Sequence, residues 1–249
     1  MRYPLLDALR GFSLCSMAGF HLTWDLIHLC GAVDPRGYET ALYLWQQSIC
    51  WTFIFLSGFS WPLGRRPVRR GLEVFFCGAV ITAASVIAMP AGPILFGILT
   101  FLGSAMILFA PLRSLLFRVP AAAGLALCAA LFVLSRGVNR GVLGFPPFFT
   151  LAPLPGGWYR DLFTAWLGFP PPDFVSLDYF SLLPWLFLYG AGFFFHRLAA
   201  ERDFLSFFAR SAPRLLTLAG RHSLAFYLLH QPVLIALLLL HDTLSSLLS

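Results

Sequence analysis

The chain has 249 residues, of which 59% are hydrophobic and 11% are charged, whereas an ordinary soluble domain carries roughly 25% charged residues. So little charge cannot cover the surface of a soluble globule, and so high an apolar fraction excludes disorder. The net charge is +6 and all 17 basic residues are arginine, but they lie in short loops and form no basic face, which argues against nucleic acid as a partner. Composition therefore predicts a polytopic membrane protein, folded as a single domain over residues 1–249.

Seven apolar segments are long enough to cross, or nearly cross, a bilayer. They cover about 5–29, 40–63, 71–89, 94–112, 120–135, 179–196 and 215–240. The segments are continuously apolar, whereas barrel strands alternate over about ten residues. The sequence thus predicts an all-α transmembrane helix bundle of about seven spans.

Arginine placement predicts the orientation of these spans. One set of loops holds Arg2, the 65–70 turn, Arg113, Arg118 and five arginines between 197 and 221, and the other set holds Arg36, Arg136, Arg140 and Arg160. Since arginine is enriched in cytoplasmic loops, the N-terminus is expected to be cytoplasmic. The longest connection, 136–178, then lies outside, and its Pro, Gly and aromatic content predicts either a cap over the bundle or a segment lying on the membrane.

The first span carries five ionisable residues, which is unusual because such groups are costly within a bilayer. They are Asp7, Arg10, His21, Asp25 and His28. The spacings of three, four and eleven residues place all five on one helix face, with His21 about 16 Å beyond Arg10. That face is expected to look into the protein, and it marks a candidate site.

The residue types suggest a division of roles along this face. Arg10, paired with Asp7 near the cytoplasmic end, suits the phosphates of an anionic donor. His21 suits a general base or nucleophile oriented by Asp25, and His28 would lie toward the acceptor. Three alternatives are that the pairs merely join helices, that they relay protons in a transporter, or that they ligate a metal, for which one helix face offers too few ligands.

The last span adds a second polar stripe. Ser223, Tyr227 and His230 share one helix face, and Pro232 follows closely enough to kink the helix. His230, with Gln231, is a candidate to polarise a thioester or relay a proton, although a hydrogen bond between helices would equally explain it. Arg221 and Ser223 at the inner boundary are candidate donor contacts, and Arg221 also fits a simple positive-inside anchor.

Two further groups are candidates for binding. Arg69 and Arg70 belong to the densest basic turn, which would suit the diphosphate of coenzyme A but also follows from topology alone. Asp178, Tyr179 and Trp185 open the sixth span and suit a sugar acceptor. A helix N-cap by Asp178 with interfacial aromatic rings would explain them as well.

Five segments of this chain resemble the catalytic domain of the heparan-α-glucosaminide N-acetyltransferase family. They are LLDALRGFSLCSMAGFHLTWDL with its D-x-x-R-G and a His eleven residues after the Arg, FIFLSGFSWPLGRRPVRRGL, FGILTFLG, LDYFSLLPWLFLYGAG and LAGRHSLAFYLLHQPVL. The same Arg-to-His spacing occurs in membrane acyltransferases that decorate bacterial surface glycans. One departure is that Thr100 stands where many relatives carry His, and a hydroxyl cannot replace an imidazole in proton transfer.

The resemblance implies a multi-pass enzyme of a bacterial-type inner membrane. It would take an acetyl or acyl group from cytosolic acyl-coenzyme A, without a metal, and pass it to an amine or hydroxyl of a glycan on the outer side. Two alternatives from the residues alone stay open. One is a proton-coupled transporter that uses His21 and Asp25 as a relay, and the other is a non-catalytic membrane partner in envelope assembly.

Overall fold

The computed structural model describes residues 3–28, 34 and 36–248. Arg2 and position 29, at the end of the first predicted span, lie outside the described residues. The chain divides into two compact units. Unit 1 comprises Met1–Phe53 and Asp203–Ser249, and unit 2 comprises Ile54–Arg202.

Helices make up most of the described chain. They are α1 (Pro4–His28), α2 (Glu39–Ser60), α3 (Pro67–Ala88), α4 (Ile98–Phe109), α5 (Arg113–Arg118), α6 (Ala121–Ser135), α7 (Leu162–Leu167), α8 (Leu182–Glu201), α9 (Leu205–Phe208), α10 (Arg214–Arg221) and α11 (Ser223–Leu248). Strands β1 (Val142–Phe145) and β2 (Phe149–Pro153) form an antiparallel hairpin between α6 and α7. The boundary between the two units falls within α2.

Each of the seven predicted spans contains a helix, and the fold is that of an all-α membrane protein. Within the described residues, three helical stretches are long and apolar enough to cross a bilayer: Pro67–Ala88, Ala121–Arg140 and Ser223–His241. The fourth predicted segment differs, since α4 has 12 residues and so a length of about 18 Å against the roughly 30 Å of a bilayer core. Residues 94 and 95 precede it outside any helix, and their N–H groups donate to the hydroxyls of Ser85 and Ser176.

Unit 1 is built around α1. Leu14, Met17 and Phe20 of α1 pack with Ile49 of α2 in a buried apolar cluster. Two polar contacts reinforce this packing, because Trp45 donates its indole N–H to Ser16 at 2.8 Å and Ser13 donates to the Ile49 carbonyl at 3.4 Å. Because the apolar side of α1 packs against α2, its polar face lies toward other elements of unit 1.

The elements that meet this polar face are α10 and α11. The last predicted span is therefore two helices, which break at His222. Helix α10 lies against α1 at Gly11, where an added Cβ atom would come within 1.9 Å of the Leu216 carbonyl oxygen. Small residues of this kind let helix backbones approach closely in membrane proteins.

Unit 2 packs its helices in the same manner. A Cβ atom on Gly78 of α3 would lie 2.6 Å from the backbone nitrogen of Thr100 in α4, and one on Gly58 of α2 would lie 1.9 Å from the Tyr189 carbonyl oxygen in α8. Tyr189 and Phe193 are fully buried at this level of α8. Close helix contacts thus position α8 within its unit.

The connection from 136 to 178 is folded and belongs to unit 2. Asn139 organises it, since its side-chain amide donates to the Gly168 carbonyl at 2.8 Å and to the Ser181 hydroxyl at 2.9 Å. Helix α7 begins with a capping box in which Asp161 and Thr164 satisfy each other's backbone N–H groups. The predicted long outer connection is therefore an ordered segment.

Candidate active site

The end of the polar face nearest the N-terminus of α1 is a cluster of three charged side chains. Asp7 lies between two arginines: Arg10 of the same helix at 3.0 Å and Arg221 of α10 at 3.6 Å. The Asp7 and Arg10 side chains are each 20% exposed, and that of Arg221 is 43% exposed. One carboxylate shared by two guanidinium groups leaves a net positive charge, which can accept a phosphate.

The second level of the polar face lies about three turns beyond Arg10 along α1. The ring of His21 lies against the ring of His230 in α11, with 4.9 Å between the centroids. Tyr227 is the other ring beside His230, at 5.5 Å. The structure therefore brings together two of the three residues expected to be catalytic, although 209 positions separate them in the chain.

Asp25, the third of these residues, is 3% exposed and lies one turn beyond His21. Its carboxylate accepts two hydrogen bonds from the side-chain amide of Gln231, at 3.2 Å to Oδ1 and 3.0 Å to Oδ2. Among the described residues, Gln231 is the side chain that holds this carboxylate. The structure thus joins the Asp25 carboxylate to α11.

His28 and Ser223 lie apart from these contacts. The His28 ring stacks on Trp24 at 3.8 Å and its Nδ1 atom is 3.0 Å from the Trp24 carbonyl oxygen. Its side chain is exposed. Ser223 is the first residue of α11 and is partly exposed.

The candidate acceptor residues Asp178, Tyr179 and Trp185 belong to unit 2. An oxygen of Asp178 accepts the backbone N–H of Ile98 at 3.2 Å, so this carboxylate caps α4 and not α8. Burial raises the pKa of the Asp178 carboxyl to about 6, while the Ile98 hydrogen bond acts in the opposite direction. Burial also raises the pKa of Tyr179, whose hydroxyl donates to the Ala165 carbonyl.

Trp185 and the basic turn have defined surroundings as well. The Trp185 ring is buried and lies beneath the Arg136 guanidinium, with 4.8 Å to its centroid. Arg69 pairs with Glu73 at 3.0 Å, and both side chains are exposed. Arg70 is exposed on the same turn of α3. Exposed pairs of this kind contribute little to stability, so the turn is free to serve another role.

Thr100, where many relatives carry His, is buried in α4 against Gly78. Within the described part of the chain its hydroxyl has no hydrogen-bond partner. The same part of the chain contains no group of three or more His, Cys, Asp and Glu side chains placed to hold a metal.

Two features of the site were not predicted from the sequence. One is the bond from Gln231 to Asp25, which joins residues 206 positions apart. The other is the pair of glycines, Gly11 and Gly220, that lets α10 approach α1 and brings Arg221 to Asp7. The sequence did contain a signal for both features, because each of these residues is the immediate neighbour of a candidate site residue. Gly11 follows Arg10, Gly220 precedes Arg221 and Gln231 follows His230.

Taken together, the fold and this polar face define an integral membrane protein with ionisable groups gathered within its helices. The chain belongs to the family described as heparan-alpha-glucosaminide N-acetyltransferase, catalytic, whose model matches residues 2–232. The match runs through both units, and membership indicates an acyltransferase. Comparisons with curated proteins and with solved structures gave no match.

Proposed function

We propose that this protein transfers an acetyl or other acyl group from cytosolic acyl-coenzyme A to an amine or hydroxyl of a glycan on the far side of the membrane. The protein is a multi-pass enzyme of a bacterial-type inner membrane, with its N-terminus in the cytoplasm. The observation that carries the proposal is the arrangement of one helix. Helix α1 bears an anion-binding cluster at one end and an imidazole pair about 16 Å away.

The donor binds through its phosphates to the cluster around Asp7. Arg10 and Arg221 supply the positive charge, and Asp7 holds both guanidinium groups in place. Arginine suits this role because its planar fork of N–H donors matches phosphate oxygens. Ser223 is a further donor contact under this proposal.

The extended arm of the donor then follows the polar face of α1 and delivers the thioester to His21 and His230. Transfer of the acyl group requires that a proton leave the attacking amine or hydroxyl, and an imidazole is the side chain best suited to accept it near neutral pH. The buried Asp25 carboxylate stabilises the positive charge that forms on the imidazole pair. His28 is an acceptor contact of the proposal.

An assay of the purified protein in detergent tests this function. Acetyl-coenzyme A is incubated with a panel of amino-sugar and hydroxyl-sugar acceptors, and release of the free thiol is measured. We expect acceptor-dependent thiol release that His21→Ala abolishes. His241→Asn, a change at an exposed histidine of α11, is the matched control and retains activity.

The principal alternative is a proton-coupled transporter that uses the same residues as a relay. In proteoliposomes such a protein would carry substrate across the bilayer in a manner that depends on His21. Flux of that kind, together with no thiol release from any acceptor, would overturn the enzyme proposal.

A further inference from the structure

The hydrogen bond made by one nitrogen of His230 determines the state of the other. Nδ1 lies 2.6 Å from the backbone carbonyl oxygen of Tyr227. A carbonyl oxygen can only accept, so Nδ1 carries the hydrogen in the neutral ring. Nε2 therefore presents a lone pair. This atom is buried and has no hydrogen-bond partner among the described residues.

The amide of Gln231 is oriented by the same reasoning. The Asp25 carboxylate accepts from it on both oxygens, so the NH₂ group of the amide faces Asp25. The amide oxygen, Oε1, consequently points elsewhere. It too is buried without a hydrogen-bond partner within the described residues.

Neighbouring residues thus hold two buried hydrogen-bond acceptors that are both unused. Buried polar atoms in proteins are nearly always hydrogen-bonded, and exceptions commonly mark functional sites. Both atoms accept and neither donates, so the group that completes them must supply hydrogens. The ring of His21 lies beside this pair.

We infer that Gln231 Oε1 and His230 Nε2 together receive the reacting amine of the acceptor, which donates one hydrogen to each atom. This inference rests on the proposed function and specifies how its acceptor is held. Gln231 then has two roles, because its oxygen contacts the substrate while its nitrogen positions Asp25.

The transfer step follows from this placement. The amine nitrogen of the acceptor attacks the carbonyl carbon of the thioester, so that a new N–C bond forms and the C–S bond breaks. His230 Nε2 takes the proton from the attacking atom and afterwards gives it to the departing sulfur. The buried carboxylate of Asp25 stabilises the imidazolium between these two transfers.

Kinetics of Gln231→Met test the substrate contact. Methionine keeps the length of the side chain but can neither accept nor donate in this way. We expect kcat/KM for the acceptor to fall roughly ten- to a hundredfold, as for the loss of a hydrogen bond to a buried group, with KM for acetyl-coenzyme A unchanged. Gln46→Met in α2 is the matched control. If Gln231→Met does not fold, the same kinetics are measured on Gln231→Asn in its place.

Two kinetic outcomes would overturn the inference. An unchanged kcat/KM for the acceptor would show that Oε1 does not contact the substrate. Equal losses for donor and acceptor would show that Gln231 merely supports the fold.

A second measurement does not depend on activity. Nitrogen NMR of protein labelled at histidine, with the His230 signals assigned by their loss in His230→Asn, reports which ring nitrogen carries the hydrogen. We expect hydrogen on Nδ1, and hydrogen on Nε2 would refute the assignment. If the wild-type protein released no thiol, the proposed function would fail, and this spectrum would still decide whether His230 presents an open acceptor.

Discussion

Gly11 of α1 and Gly220 of α10 face each other backbone to backbone. A Cβ atom added to Gly11 would lie 3.1 Å from the Gly220 nitrogen, and one added to Gly220 would lie 3.0 Å from the Gly11 nitrogen and 1.8 Å from the Asp7 carbonyl oxygen. No flexible side chain stands in these positions to move aside. The approach of Arg221 to Asp7 therefore depends on the absence of a side chain at both glycines.

Gly220→Ala is accordingly expected to separate α10 from α1. The added methyl group cannot be accommodated without moving a backbone, and overpacking costs about 1–3 kcal/mol or more. We expect a lower thermal midpoint in detergent and weaker binding of acetyl-coenzyme A, measured on the same sample. Gly19→Ala is the control within α1, because its Cβ atom would meet only the Trp45 ring at 3.6 Å.

Arg10→Ala is expected to weaken donor binding far more than acceptor binding. The guanidinium contributes a charge-assisted contact to the phosphates, and its loss corresponds to roughly a ten- to hundredfold rise in Kd for acetyl-coenzyme A. Calorimetry on the detergent-solubilised protein measures both affinities. Arg202→Ala removes an exposed arginine as the control. Unchanged donor affinity in Arg10→Ala would contradict the assignment of the cluster.

Asp178→Asn is expected to change how stability depends on pH. The pKa of Asp178 in the folded protein is about 6, above the value of about 4 in an unfolded chain. The folded state thus binds the proton more tightly. The resulting stabilisation is complete below pH of about 4 and is lost as pH rises through 6.

The measurement is the thermal midpoint across this pH range. As pH rises, the thermal midpoint of the wild type is expected to fall relative to that of Asp178→Asn. Asp173→Asn, a change at an exposed residue nearby, is the control and is expected to behave as the wild type does. A constant difference from pH 4 to pH 7 would show that Asp178 does not titrate in this range.

Asn139→Leu is expected to loosen the segment from 136 to 178. The amide of Asn139 binds the Gly168 carbonyl and the Ser181 hydroxyl, and these groups would lose their donor. Leaving buried polar groups unsatisfied costs about 1–3 kcal/mol. Proteolysis and hydrogen exchange within this segment should both increase. Arg140→Ala, at the exposed neighbouring position, should have little effect, and equal effects of the two changes would argue against the amide as the cause.

The positions of helices were largely predictable, because apolar length is a property of the chain itself. The exceptions have local causes. Helix α4 begins at Ile98 and not near 94, since the preceding residues bond to Ser85 and Ser176. The break at His222 separates α10 from α11 although the apolar pattern runs through it.

The candidate site was predictable one helix at a time. Helical periodicity placed Asp7, Arg10, His21 and Asp25 on one face of α1, and the contacts of Arg10 and His21 agree with that face. Periodicity cannot report which residue of another helix meets each of them. The partner of Asp25 was therefore expected on α1 itself, whereas the structure places it on α11 as Gln231.

Because Arg10 and His21 belong to one continuous helix, the distance between them is fixed by eleven residues of hydrogen-bonded backbone. Under the proposed function, helix α1 therefore sets the distance between the site for the donor's phosphates and the site for its thioester. A thioester that lacks the nucleotide portion would reach the imidazoles without being held at the other end. Inserting one residue between Arg10 and His21 would turn His21 by about 100° away from the path of the donor. The enzyme would select its donor by length as well as by charge.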